Sequence, residues 1–160
     1  MIKKEYLLKS KTVKLCSACL LGIKCAWDGK DRYRSEKVAR LLKEMTLIPV
    51  CPEQLGGLPT PRIPQEIQGC SGEKVLEGKG KVKNKNGEDV TKQFISGAKE
   101  TLKIAKIFGA KEFIAKQKSP SCGCGKTYDG SFSGKLVDGD GITTALLKKN
   151  GVRVITEEEL

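Results

Sequence analysis

Short apolar runs alternate along the chain with longer amphipathic stretches. Lys11-Thr-Val-Lys-Leu-Cys16 puts Val13 and Leu15 at strand spacing and predicts a first strand. Residues 17–34 hold two glycines, two aspartates and no helical period, so a loop is expected. Ser35 reads as a helix N-cap, with Val38, Leu41, Leu42 and Met45 following on one face. Leu47-Ile-Pro-Val50 predicts a buried strand, in which Pro49 is awkward because it cannot donate to a ladder. Thr91 is expected to cap a long helix with an apolar stripe of Phe94, Ile95, Ala98, Leu102 and Ala105, closed by Gly109. Residues 112–115 and 152–155 predict two more strands, and 142–149 a helix closed by Asn150-Gly151.

Three stretches break the alternation. Residues 52–72 contain four prolines and four glycines and read as a long irregular loop. Residues 73–90 alternate weakly around Asn86-Gly87, which predicts a peripheral hairpin. Residues 117–139 form a second long loop. Strands alternating with helices argue for an α/β fold: a small, mostly parallel sheet flanked by helices (Rossmann-like), with a peripheral hairpin. No repeat or linker divides residues 1–160, so a single compact domain is expected.

Composition narrows the function. Hydrophobic residues make up 38% and charged residues 31%, a soluble globular balance, and no apolar run approaches the ~20 residues of a membrane helix. The N-terminal Met1-Ile-Lys-Lys-Glu5 lacks the apolar stretch of a secretory signal, so a cytoplasmic location is expected. The formal net charge of +11 raises the possibility of a nucleic-acid partner. However, 25 of the 30 basic residues are lysines spread along the chain, so a solvated basic surface accounts for the charge and a nucleic-acid partner is not expected.

The chain has seven cysteines and no histidine. The absence of histidine removes imidazole bases and Cys–His nucleophile pairs, and an odd thiol count in a reducing compartment argues against a disulfide framework. Cys16 and Cys19 follow the first strand, Cys51 ends the second, and Cys122 and Cys124 follow the third. Ligands of open parallel sheets bind beyond the carboxyl ends of the strands, where these thiols lie. Spacing alone leaves the metal open. Cys16-x-x-Cys19 with Cys122-x-Cys124 could hold zinc, and thiols from scattered loops could hold an iron–sulfur cluster. Cys25 and Cys70 read as small buried hydrophobes. Glu53, two residues from Cys51, and Ser119, three residues before Cys122, are candidates for moving protons or binding a substrate oxygen.

Four stretches carry a family resemblance over residues 13 to about 156: Ser17-Ala-Cys-Leu-Leu-Gly22 with Asp28-Gly29, Val50-Cys-Pro-Glu-Gln-Leu-Gly-Gly-Leu-Pro59 running to Pro61-Arg62, Lys118-Ser-Pro-Ser-Cys-Gly123, and Asp140-Gly141. Together they resemble the small bacterial thiouracil desulfurases, long described as a domain of unknown function. The resemblance implies a [4Fe–4S] cluster held by Cys19, Cys51 and Cys122, with one iron open to a thiocarbonyl sulfur. It implies hydrolytic, non-redox conversion of a 2-thiouracil-like pyrimidine to its oxo form, releasing hydrogen sulfide, with Glu53 and Ser119 in catalytic roles. The loops at 52–72 and 117–139 would then be active-site loops, with Asp28, Arg32 and Arg62 helping to close the pocket. Cys16 and Cys124 are possible additional metal ligands. Two other functions stay open, a zinc-binding structural or nucleic-acid module and a Cys-persulfide sulfur carrier.

Overall fold

The structure is a computed structural model and describes residues 12–31 and 33–160. The N-terminal pentapeptide and Arg32 lie outside the described residues. Its centre is a four-stranded parallel sheet in the order β2-β1-β5-β8, built from β1 (Val13–Ser17), β2 (Thr46–Val50), β5 (Glu112–Ala115) and β8 (Arg153–Thr156). Pro49 is accommodated because β2 is an edge strand.

Strand alternation sends neighbouring residues into two cores. Leu15 joins Val50, Phe113, Ala115, Leu147 and Val154 in one cluster. Cys16 joins Leu20, Val38, Leu47 and Ile114 in another. The second is completed by α1 (Glu36–Arg40), where Ser35 caps by accepting from the Val38 amide at 3.3 Å. The first is covered by α4 (Thr91–Phe108) and α5 (Ile142–Lys149), which pack on each other. Connections therefore leave adjacent β1 and β5 toward opposite faces, which opens a crevice at their carboxyl ends.

The proline-rich and glycine-rich stretches carry more structure than their pattern predicts. Residues 52–72 contain α2 (Pro52–Leu55) and β3 (Gln65–Ile67), and α3 (Gly72–Leu76) begins at their end. The strand β3 pairs antiparallel with β4 (Val82–Asn84), and Asn86-Gly87 turns the chain back so that the Val90 amide reaches the Val82 carbonyl at 3.0 Å. Within 117–139, β6 (Lys126–Tyr128) and β7 (Leu136–Asp138) form a second two-stranded sheet. Thr91 does not cap α4. It is the first helical residue, its hydroxyl accepts from the Val82 amide at 2.9 Å, and its own amide is held by Asp89 at 3.0 Å. No helix among the described residues is long and apolar enough to cross a membrane.

Candidate functional site

A cavity of about 390 Å³ opens at the carboxyl ends of β1, β2 and β5. Cys19, Cys51, Cys122, Glu53 and Ser119 all line it, as do Cys25, Arg62 and residues from both long segments. Each thiol is delivered by its own connection. Cys19 sits in the single turn Ala18–Leu21 that follows β1. Cys51 directly follows β2 and is the N-cap position of α2, whose first residue, Pro52, suits a helix start because no amide is needed there. Cys122 lies in the loop after β5.

That loop is tied down at both ends. The Gln117 side chain accepts from the amides of Lys118 and Cys124, each at 2.9 Å, and donates to the Cys124 carbonyl at 2.9 Å. At the other end, the first amides of α5 bind the loop carbonyls: Ile142 to Pro120 at 2.9 Å and Thr143 to Ser121 at 2.9 Å. The Thr144 hydroxyl donates to the Cys122 carbonyl at 2.7 Å. Gly141 is required by this seam, since a Cβ there would lie 2.5 Å from the Ser121 carbonyl oxygen. The Ser119 hydroxyl accepts the amides of Ser121 and Cys122, both at 3.1 Å, which leaves its proton to donate.

Glu53 is buried in the first turn of α2 and gripped from one side. Arg62 Nε donates to its Oε2 at 2.6 Å, and Nη2 contacts the same oxygen. Oε1 has no partner among the described residues. Arg62 also donates through Nη1 to the Cys25 carbonyl at 3.0 Å, which pins the loop after β1 to α2.

Cys25 is 2% exposed and shares the cavity with the candidate ligands, which corrects its assignment to the core as a bystander. The Cys51 thiol donates to its carbonyl at 3.7 Å, and the neighbouring Cys19 thiol, with burial, pushes the Cys25 thiol up to about 11. Its position after Cys19 in the β1 loop was the signal available in the sequence. The contact with Cys25 and burial also raise the Cys51 thiol, and burial raises Cys122 against the opposing pull of the Ser17 and Ser119 hydroxyls. Cys16 and Cys124, the possible additional ligands, do not line the cavity. Cys16 faces the α1 core, where burial and the Glu157 carboxylate push it up to about 12. Cys124 packs against the α4–α5 core with its sulfur 3.9 Å from the Val154 carbonyl oxygen. Cys70 packs beneath β4 and α3. Asp28 is not among the lining residues.

The donor set fits a thiolate-held metal group. Four thiols line one cavity and the chain has no histidine, so sulfur is the available soft ligand. Among the described residues no three Cys, Asp or Glu side chains converge closely enough to hold a single ion. Thiols distributed around a cavity suit a group of several metal atoms better than one tetrahedral zinc.

A sequence model of 2-thiouracil desulfurase matches residues 15–159. The chain belongs to the 2-thiouracil desulfurase family. It is 49% identical over 146 residues to the uncharacterized protein YbbK of Bacillus subtilis (strain 168), covering 91% of this chain and 96% of that one. The fold matches the solved structure of the [4Fe-4S]-dependent thiouracil desulfidase TudS with a TM-score of 0.81 and 38% identity, over 94% of this chain and 93% of that one.

Proposed function

We propose that this chain removes sulfur from a thiolated pyrimidine of the 2-thiouracil type on a [4Fe–4S] cluster held by Cys19, Cys51 and Cys122. The observation that carries this is the convergence of those three thiols, from three separate connections, with Glu53 and Ser119 around one cavity. The family and the TudS match support it. When bound, the cluster supplies a thiophilic Lewis acid, the iron that lacks a protein ligand.

The protein's own groups handle the rest. Glu53 Oε1 takes a proton from a water whose oxygen bonds to the thiocarbonyl carbon, while Arg62 fixes the carboxylate through Oε2. The Ser119 hydroxyl, its oxygen fixed by two amides and its proton directed toward the Cys122 sulfur, turns that proton to the substrate. The C–S bond breaks, sulfur departs with its electron pair, and two protons complete hydrogen sulfide. One water is consumed and no electrons are exchanged, so neither oxidant nor reductant is required.

Anaerobic reconstitution tests this. About four irons and four sulfides per chain are expected, falling on replacement of Cys19, Cys51 or Cys122, with hydrogen sulfide and uracil formed from 2-thiouracil. Glu53→Gln should keep the iron and lower the rate by about 10²–10⁴. Stoichiometric zinc with no iron after reconstitution would overturn the proposal.

A further inference from the structure

Gln65 opens β3, is 8% exposed and lines the cavity. Its side-chain amide has no hydrogen-bond partner among the described residues. Other glutamines of these loops are committed: Gln54 donates to Thr60 Oγ1 at 2.9 Å, Gln68 to the Gly130 carbonyl at 3.2 Å, and Gln117 uses both ends of its amide. The adjacent Glu66 is also engaged, accepting the amides of Gly130 at 2.9 Å and Phe132 at 3.0 Å. Among the described residues, the sealed side-chain polar atoms without a partner are Ser121 Oγ, Thr127 Oγ1 and Thr143 Oγ1. The Gln65 amide is not among them, so the residue's small remaining exposure includes both its polar ends, at the cavity it lines. Both ends of this amide face the cavity uncommitted to any protein group, so a ligand that presents a complementary donor and acceptor side by side can engage both at once.

We propose that Gln65 is the specificity-determining residue of this cavity, its carboxamide pairing with the lactam edge of a pyrimidine, the ring N3–H and the adjacent C4 carbonyl. A carboxamide carries a donor and an acceptor side by side, and the lactam edge carries the complementary pair. Engaging that edge leaves the C2 sulfur free to face the thiols. It also leaves N1 unengaged, so the site distinguishes substitution at N3 from substitution at N1. This rests on the desulfurase reading for its substrate class.

The test uses the cluster-loaded protein under anaerobic conditions, with 2-thiouracil and its N1-methyl and N3-methyl derivatives as substrates. Binding of uracil, 1-methyluracil and 3-methyluracil is measured in parallel by calorimetry. The N3-methyl compounds should lose about 100-fold in kcat/KM and in affinity relative to the N1-methyl compounds, because a site built around a hydrogen bond rejects an analogue that cannot make it. In Gln65→Met, close in shape to glutamine, that preference should shrink to within about threefold, mainly through KM. The ligand-free variant should melt close to the wild-type temperature, because the amide makes no hydrogen bond to the protein that the substitution would break. A merely structural glutamine would show the reverse, with lower melting and an unchanged preference. Equal acceptance of N1-methyl and N3-methyl compounds by the wild type overturns the proposal and needs no variant. If 2-thiouracil gives no hydrogen sulfide, the desulfurase reading fails by itself, and the uracil series still decides the role of Gln65.

Discussion

Arg62 commits its whole guanidinium to the interior: Nε and Nη2 to Glu53, Nη1 to the Cys25 carbonyl at 3.0 Å and to Thr60 Oγ1 at 3.1 Å. Its side chain is 5% exposed and that of Glu53 10%, so the pair is buried. Lysine carries one point donor and cannot reproduce the fork. Arg62→Met should cost about 3–5 kcal/mol of stability by stranding the carboxylate. Arg62→Lys should fold and lose at least about tenfold in kcat, measured with denaturation curves and hydrogen sulfide release. Cys16 gives the opposite kind of prediction, a thiol with a structural role alone. Cys16→Ala should leave iron content unchanged. The native thiol is pushed from its ordinary 9.0 up to about 12, so the folded state holds the proton after the unfolded state has released it. Its stabilising effect is therefore complete below pH 9 and declines from there as pH rises toward 12. Wild type should lose stability over that window more steeply than Cys16→Ala, as measured by urea unfolding at fixed pH values. Cys16 and Cys25 also mark what the sequence conceals at this scale. Cysteine spacing in a strand–loop segment does not say which thiol points into the core, because that depends on the strand's pleat and on the loop's path.

Glu53 and Cys51 depend on how α2 meets α4. The two helices cross at Gly56 and Gly97: a Cβ on Gly97 would lie 1.8 Å from the Pro52 carbonyl oxygen, and one on Gly56 would lie 1.9 Å from that of Gln93. These are backbone contacts, so no side chain can swing aside to relieve them. Gly97→Ala should destabilise the fold by about 1–3 kcal/mol, although alanine is the better helix former. Separation of the helices should also reduce iron uptake, which metal analysis of the reconstituted variant would reveal. The elements the pattern missed have a common cause. The strands β3, β6 and β7 have three residues each and α2 has four, little more than one period of any repeat. The 18 residues of α4 carry five turns of stripe and were legible, apart from the cap. There, Asp89 and the pairing with Val82 outweighed the propensity of Thr91.

At the scale of the whole molecule, the alternation of strands and helices was enough to expect a parallel sheet with thiols at one edge. Strand order was not legible, and it decides the site. Because β1 lies between β2 and β5, the connections carrying Cys51, Cys19 and Cys122 leave the sheet side by side. Any order separating these strands would have scattered the same residues. A metal group held by the three thiols therefore cross-links connections that are distant in sequence, and the unfolded chain has no comparable site. Binding to the folded state alone raises stability by mass action, by about 3 kcal/mol at a hundredfold excess over the dissociation constant. For a chain of this size that corresponds to a rise of roughly 6–12 °C in melting temperature on reconstitution. Cys19→Ala, Cys51→Ala and Cys122→Ala should each abolish most of the rise, while Cys124→Ala, at a thiol outside the cavity, should retain it. Anaerobic calorimetry of the five proteins with and without iron and sulfide would measure this. An equal rise in all five would mean that the three thiols do not hold the group, and loss of the rise in Cys124→Ala would return that residue to the ligand set.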